Sequence, residues 1–287
     1  MILVIGGRSK IGSVLIDDLL ARGEQVRALT RLGEAGRFPD GVEPVAGDLA
    51  DICSLAAAMS GADKVFLLCG PVENEYELNR NAIDVAQGAD VRLLVRSSIL
   101  GADPEAQATF ARDHGACDEY LRDSELDFTI VRPNLFLQNV PETTIPAIDT
   151  DGRFYVNAGD ARISMVDTRD VAAVAAVALT EPGHESQEYE VTGPEPLSYA
   201  DVAAELSEVQ GRTITYVDVD DDATRKVLLG YGGGEWLAGA LVDLYQDYRR
   251  SGRDGYACEV SDTVDRLTGR PARSLRALLL EQLAVPS

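Results

Sequence analysis

Three glycines near the start of the chain have the spacing of a phosphate-binding turn. They occur in VIGGRSKIG, residues 4–12, between an apolar run and a helical pattern. Gly6 permits a tight turn, and Gly12 permits the following helix to pack closely against the strand. Backbone N–H groups at the start of such a helix face a pyrophosphate, and the helix dipole favours that anion. The segment predicts a dinucleotide site whose phosphate-contacting residues are Gly6, Gly7, Arg8, Ser9, Lys10, Ile11 and Gly12.

Ser9 departs from the usual form of this turn, because it stands where the middle glycine is expected. Its Cβ narrows the approach of the backbone to a phosphate, and we expect its hydroxyl to compensate by donating a hydrogen bond. Arg8 and Lys10 flank it and are unusual positive charges in an acidic chain.

Arg31 supplies a second polar position, directly after the alternating segment QVRALT of residues 25–30. An acidic residue at the end of this strand binds the ribose 2′-hydroxyl of NAD, whereas an arginine accommodates a 2′-phosphate. A guanidinium binds phosphate through two parallel hydrogen bonds. The sequence therefore favours NADP(H) as the cofactor.

These residues need a scaffold that brings several turns to one edge, and the first half of the chain predicts one. Strand and helix patterns alternate from residue 1 to about residue 132, which is typical of a doubly wound parallel α/β sheet, the Rossmann architecture. The predicted strands are 1–5, 25–30, 42–46, 64–68, 91–96 and 128–131, and the predicted helices are 11–22, 51–59, 74–87 and 105–122. Pro44 indicates that the third strand lies at an edge. The turns at 6–12, 31, 47–49, 69–71 and 97–101 should line the ligand crevice.

The pattern loosens after residue 132, where we predict strands at 153–156, 163–166, 188–192 and 213–217 and helices at 168–180 and 199–209. We expect a dinucleotide-binding domain over residues 1–150. Residues 151–287 are expected to form a smaller substrate-binding or lid region interleaved with the sheet.

Composition excludes several classes of function. The net charge of −22 repels a phosphate backbone, which argues against a nucleic-acid partner. Four scattered cysteines and two histidines favour neither a metal centre nor a redox dithiol. The longest apolar runs, of about nine residues, are too short to cross a bilayer, and the N-terminus lacks a basic leader. We expect a cytoplasmic protein with a small-molecule partner, and a homodimer is left open.

An ordered set of motifs resembles the NmrA-like, atypical short-chain dehydrogenase/reductase family over essentially the full length. The matching segments are GGRSKIG (6–12), VRALTR (26–31), GDLAD (47–51), RSSILGA (96–102), and residues 119–139, 166–175, 189–203 and 255–275.

The resemblance implies roles for residues at the predicted sheet edge. Asp48 and Leu49 would hold the adenine, although an Asp there also suits a turn or helix cap. The other implied positions are Cys69, Gly70 and Pro71 along the cofactor ribose, Ser97 and Ser98 near the nicotinamide, and Asn134 and Phe136 bordering nicotinamide and substrate. Phe136 also suits an ordinary core position.

The Tyr-x-x-x-Lys pair that classical short-chain dehydrogenases/reductases use is missing. When Asp118 is aligned with the carboxylate that follows the motif, His114 takes the Lys position and Phe110 takes the Tyr position. His114 and Ser98 are then the candidate catalytic residues, because a histidine donates protons near neutral pH. The alternative is a histidine on the helix surface or packed against the ribose.

Three functions are compatible with these residues. The first is an NADPH-dependent reductase of quinones, ketones or enones, since hydride transfer mainly needs an oriented nicotinamide. A flat aromatic substrate would suit Phe110, Phe136, Tyr155, Tyr231 and Trp236, each of which also suits a core. The second is a non-enzymatic NADP(H) sensor with a protein partner, and the third is a redox-neutral isomerase of secondary metabolism.

Overall fold

Nine strands occur in the part of the chain that the computed structural model describes, which comprises residues 1–31, 38–230, 232, 234–251 and 254–284. The strands are β1 (Ile2–Ile5), β2 (Val26–Thr30), β3 (Val42–Ala46), β4 (Lys64–Leu67), β5 (Leu93–Ser97), β6 (Phe128–Pro133), β7 (Arg153–Val156), β8 (Gln187–Val191) and β9 (Thr215–Asp218). Seven of them form a sheet in the order β3-β2-β1-β4-β5-β6-β8, while β7 and β9 pair separately.

The helices of the described residues alternate with these strands through the first half of the chain. They are α1 (Lys10–Ala21), α2 (Ile52–Met59), α3 (Glu75–Gly88), α4 (Thr109–Arg122), α5 (Thr168–Thr180), α6 (Tyr199–Gln210), α7 (Asp221–Gly230), α8 (Glu235–Ser251), α9 (Thr263–Thr268) and α10 (Leu275–Ala284). A π-helical turn at Val140–Thr144 follows β6. No helix among the described residues is long and apolar enough to cross a membrane.

Both faces of the large sheet are covered, because alternate residues of each strand point to opposite sides. In β1, Ile2 and Val4 pack with α1 and α5, whereas Leu3 and Ile5 pack with α2 and α3. All seven strands are parallel. The predicted doubly wound Rossmann fold is therefore confirmed, and Pro44 lies on the edge strand β3 as predicted.

The direction of winding reverses between β1 and β4, which are neighbours in the sheet. In open parallel sheets the ligand crevice lies outside the carboxyl ends of the strands at this reversal. The phosphate turn after β1 and the turn that follows β4 therefore meet at the predicted crevice.

Two predicted elements differ in the structure. Residues 163–166 do not form the predicted strand. They make two isolated bridges, in which Ile163 pairs antiparallel to Leu197 and Val166 pairs parallel to Phe136. Helix α4 begins four residues later than predicted, because a turn precedes it in which Asp103 Oδ1 accepts the Glu105 N–H at 2.8 Å.

The later residues contribute to both the sheet and a second core. Helix α5 packs against the sheet and β8 forms its last strand. A separate apolar cluster joins β7, α6, α8 and α10 and includes Phe154, Tyr199 and Tyr248. The division of the chain into two domains at residue 150 stays a prediction.

Candidate active site

The phosphate turn has the geometry that its glycines predict. Gly6 has a φ of +83°, a backbone conformation that residues with a side chain rarely adopt. A Cβ added at Gly12 would lie 2.2 Å from the Gly6 carbonyl oxygen, so helix α1 approaches the turn too closely for any side chain. The turn and the start of α1 therefore form a backbone cradle at the carboxyl end of β1, and pyrophosphate binding there stays a prediction.

Ser9 is the N-cap of α1, and the hydrogen bond expected from its hydroxyl to a phosphate stays a prediction. Its Oγ accepts the Gly12 N–H at 2.9 Å, and its own N–H donates to the Gly6 carbonyl at 2.9 Å. This cap gives a hydrogen-bond partner to the Gly12 N–H. When a glycine stands in place of Ser9, that N–H is left for the phosphate. The hydroxyl proton of Ser9 is not used by this hydrogen bond.

Basic residues surround the turn. Lys10 Nζ lies 2.5 Å from Glu142 Oε2 in the π-helical turn, which brings the segment after β6 over the start of α1. Arg8 is exposed, as is Arg31 at the end of β2. The guanidinium of Arg31 forms no ion pair with any described residue, and its role at a ligand phosphate stays a prediction.

The turns after β3 and β4 lie at the same edge. Asp48 is exposed and its Oδ1 accepts the Ala50 N–H at 2.9 Å, so this carboxylate shapes its own turn. Leu49 is partly buried, and its carbonyl accepts a hydrogen bond from Asn81 at 3.1 Å. After β4, Gly70 and Pro71 are exposed.

Cys69 is half-buried beside these turns. Burial raises the pKa of its thiol to about 12, so it stays protonated at neutral pH.

A cluster of buried charges lies beneath this edge, between α3, β5 and α4. We call it the buried charge cluster, and its members are Glu75, Arg96, His114 and Asp118. Arg96 and Asp118 have no exposed surface, and they form an ion pair with each other. Arg96 Nε also donates to Asn79 Oδ1 at 3.2 Å.

His114 has both ring nitrogens directed at members of this cluster. Arg96 Nη2 lies 3.0 Å from Nδ1, and since a guanidinium only donates, Nδ1 accepts and the ring proton resides on Nε2. Nε2 lies 3.2 Å from Glu75 Oε1. Burial and the positive charge of Arg96 both hold the pKa of His114 well below its usual range, so the imidazole is neutral.

Ser98 and Asn134 are also engaged with the protein. Ser98 Oγ donates to Asp118 Oδ2 at 2.9 Å. Asn134 Nδ2 donates to Ser164 Oγ at 2.9 Å and to the Ala257 carbonyl at 2.8 Å, so it fixes the segment before α9. Ser97 is buried at the end of β5. The catalytic and cofactor roles of these three residues stay predictions.

The structure brings together two of the aromatic residues predicted to line a pocket. Phe110 of α4 and Trp236 of α8 meet edge to face, with ring centroids 5.8 Å apart. Phe136 lies instead in the bridge to Val166 and packs against the sheet core. Tyr155 is 48% exposed on β7 and donates to Asp149, and Tyr231 lies outside the described residues.

Two site residues were missed by the sequence analysis, Glu75 and Arg96. Arg96 had a visible signal, because a charged residue near the end of a central, otherwise apolar strand is buried on both sides and must be paired. Glu75 had no such signal in the sequence, because a glutamate in the first turn of a helix is common on solvent-exposed surfaces.

The fold and the phosphate turn define a dinucleotide-binding protein, and comparisons with known proteins identify its family. Residues 6–182 match the model of the NAD(P)H-binding family. The NAD(P)H azoreductase of Xenophilus azovorans is 38% identical over 276 residues, covering 96% of this chain and 95% of that protein.

Solved structures give the same result. The NADPH-dependent quinone oxidoreductase of Escherichia coli, complexed with NADPH, is 26% identical with a TM-score of 0.87, over 99% of this chain and 100% of that one. The triphenylmethane reductase of a Citrobacter species, complexed with NADP(H), is 25% identical with a TM-score of 0.87, over 98% and 99% of the two chains.

The chain therefore belongs to the NAD(P)H-binding family, which confirms the resemblance to NmrA-like, atypical short-chain dehydrogenases/reductases. The predicted nicotinamide dinucleotide cofactor is confirmed as well. The full-length similarity to reductases confirms the prediction of an NAD(P)H-dependent oxidoreductase.

Proposed function

We propose that this protein is an NADPH-dependent reductase that transfers a hydride to a flat aromatic acceptor such as a quinone or an azo compound. The observation that carries this proposal is the backbone cradle of Gly6–Gly12, with Arg31 exposed at the end of the neighbouring strand. Azo compounds and quinones are the acceptors in the names of two full-length relatives.

The preference for NADPH over NADH is assigned to Arg31. It ends β2, next to β1 in the sheet, and its exposed guanidinium has no ion-pair partner among the described residues. A 2′-phosphate at this position would receive two charge-assisted hydrogen bonds.

The substitution Arg31→Asp tests this assignment. Removing charge-assisted hydrogen bonds of about 1.5–3 kcal/mol is expected to weaken NADPH binding by roughly 10- to 100-fold relative to NADH. The measurement is the dissociation constant of each nucleotide by titration calorimetry. Arg92→Asp makes the same change in charge at a 70% exposed side chain before β5, and its nucleotide preference should match the wild type. An unchanged preference for NADPH over NADH in Arg31→Asp would show that Arg31 does not bind the 2′-phosphate.

The acceptor would lie against the Phe110–Trp236 pair. The two rings join α4, which carries His114 one turn further on, to α8. Thr109 Oγ1 donates to Asp243 at 2.8 Å, and Arg250 donates to Gln107 at 2.9 Å, so α8 is held over the start of α4. A flat aromatic molecule would stack on this wall beside the nicotinamide end of the crevice.

Turnover decides between this function and cofactor binding alone. Purified protein is mixed with NADPH and a panel of quinones and azo compounds, and the loss of nicotinamide absorbance is followed. We expect oxidation well above the rate without protein for at least one acceptor. Tight binding of NADP⁺ without turnover on any acceptor would overturn the proposal and favour an NADP(H) sensor.

The cytoplasmic location and the homodimer stay predictions. The similarity to reductases supports a small-molecule partner.

A further inference from the structure

Glu75 has a buried carboxyl oxygen that lacks a hydrogen-bond partner among the described residues. Its side chain is 2% exposed, yet Oε1 accepts no hydrogen bond from any described residue. His114 Nε2 lies 3.2 Å away but outside hydrogen-bond geometry. An unsatisfied buried acceptor destabilises a fold, so such groups in native proteins call for an explanation.

Glu75 lies buried on the side of the sheet where the crevice is predicted. It is the first residue of α3 and follows the turn of residues 69–71, at the carboxyl edge of the sheet. The titratable and charged groups that face it from the elements around it are Cys69 after β4, Arg96 of β5, and Asp113, His114, Cys117 and Asp118 of α4.

Ser98 and His114 are poor proton donors near neutrality. The proton of Ser98 is donated to Asp118, and His114 is a neutral imidazole whose Nδ1 accepts from Arg96, so loss of its Nε2 proton would leave an anionic ring. Burial raises the pKa of Glu75 to about 7, against the opposing charge of Arg96, so a large share of this carboxyl carries a proton at neutral pH. A donor of this strength is well matched to catalysis near neutrality.

We propose that the carboxyl group of Glu75, which lies beside His114 and Arg96, is the proton donor of the reductase site. This inference rests on the proposed reductase function. Bound NADPH supplies a hydride to the acceptor. For a quinone, the Glu75 O–H bond breaks and an O–H bond forms on the reduced acceptor. The carboxylate regains its proton from water after the product leaves, so each turnover consumes one NADPH and one proton.

Two classes of acceptor separate this role from a structural one. A quinone needs a proton in addition to the hydride, whereas a cationic triarylmethane dye takes the hydride at its central carbon and becomes neutral without a proton. Glu75→Gln is expected to lower kcat for the quinone by about 100-fold or more, as the loss of a general acid does. Dye reduction should stay within about threefold of the wild type, and the dissociation constant of NADPH should not change.

The pH profile gives a second readout on the unaltered protein. The acid form of Glu75 is present below its pKa and is lost as pH rises, so quinone kcat should fall about tenfold per unit above about pH 7. The dye rate should show no such fall. In Glu75→Gln the slope for the quinone should disappear.

Infrared spectroscopy of the protein without cofactor gives a readout independent of activity. A protonated-carboxyl band that titrates near pH 7 is expected in the wild type and should be absent in Glu75→Gln. Glu77→Gln, an exposed residue in the same first turn, should keep the band and both rates.

The outcomes are distinct. Equal losses for quinone and dye would assign Glu75 a structural role and overturn the inference, as would an unchanged quinone rate or a missing band in the wild type. A wild type that reduces neither acceptor overturns the proposed function itself.

Discussion

The substitution Gly12→Ala is expected to weaken NADPH binding by roughly 10- to 100-fold. Its Cβ would lie 2.2 Å from the Gly6 carbonyl oxygen and 2.9 Å from Gly7 Cα, and both obstacles are backbone atoms that no rotamer change can move. Overpacking of this kind typically destabilises a local structure by about 1–3 kcal/mol or more, and 1.4 kcal/mol is a factor of ten in affinity. Either α1 shifts away or the turn opens, and in both cases the cradle for the pyrophosphate is lost.

Titration calorimetry with NADPH measures this loss, and circular dichroism shows whether the fold remains. Gly88→Ala is the matched control, because an added Cβ at the end of α3 meets nothing within 4 Å. It should bind as the wild type does. If Gly12→Ala binds NADPH within threefold of the wild type, the phosphate turn is not the binding element.

The elements that hold the cofactor were predictable because their causes are local. The glycines of the phosphate turn act through their own backbone, and the alternation of apolar strands and helices fixes a parallel sheet. The ends of β3, β7 and α5 follow from the same patterns. The start of α6 also has a local cause, because Ser198 caps it with Asp201 in a reciprocal capping box.

The centre of the site was not predictable, because it depends on which residues meet across elements. His114 was expected as a proton donor, but burial lowers its pKa, and its ring proton is kept on Nε2 by the hydrogen bond from Arg96, which is 18 residues away in the chain. Whether Glu75 is solvated or buried depends on how α3 packs against α4. A single sequence gives periodicity and turn chemistry, but it does not give the partners of a buried charge.

The substitution Asp118→Asn is expected to lower the free energy of unfolding by about 3–5 kcal/mol, the usual consequence of breaking a buried ion pair. Asp118 is fully buried and pairs with Arg96, while its Oδ2 accepts from Ser98 at 2.9 Å and from Arg132 Nη2 at 2.8 Å. An amide replaces one accepting oxygen by a donor and leaves two guanidinium groups facing it. Chemical denaturation measures the difference, and the thermal midpoint should fall by on the order of 10 °C.

The control for this loss is Asp123→Asn at the exposed C-terminal end of α4, which should change stability by less than about 0.5 kcal/mol. Much of the loss in Asp118→Asn comes from the buried charge left without its partner, so removing that charge as well should restore part of it. The double substitution Arg96→Met with Asp118→Leu is therefore expected to be more stable than Asp118→Asn. A double variant no more stable than the single one would show that the fold depends on the ion pair itself, and a loss below 1 kcal/mol in Asp118→Asn would show that Arg96 and Arg132 find other partners.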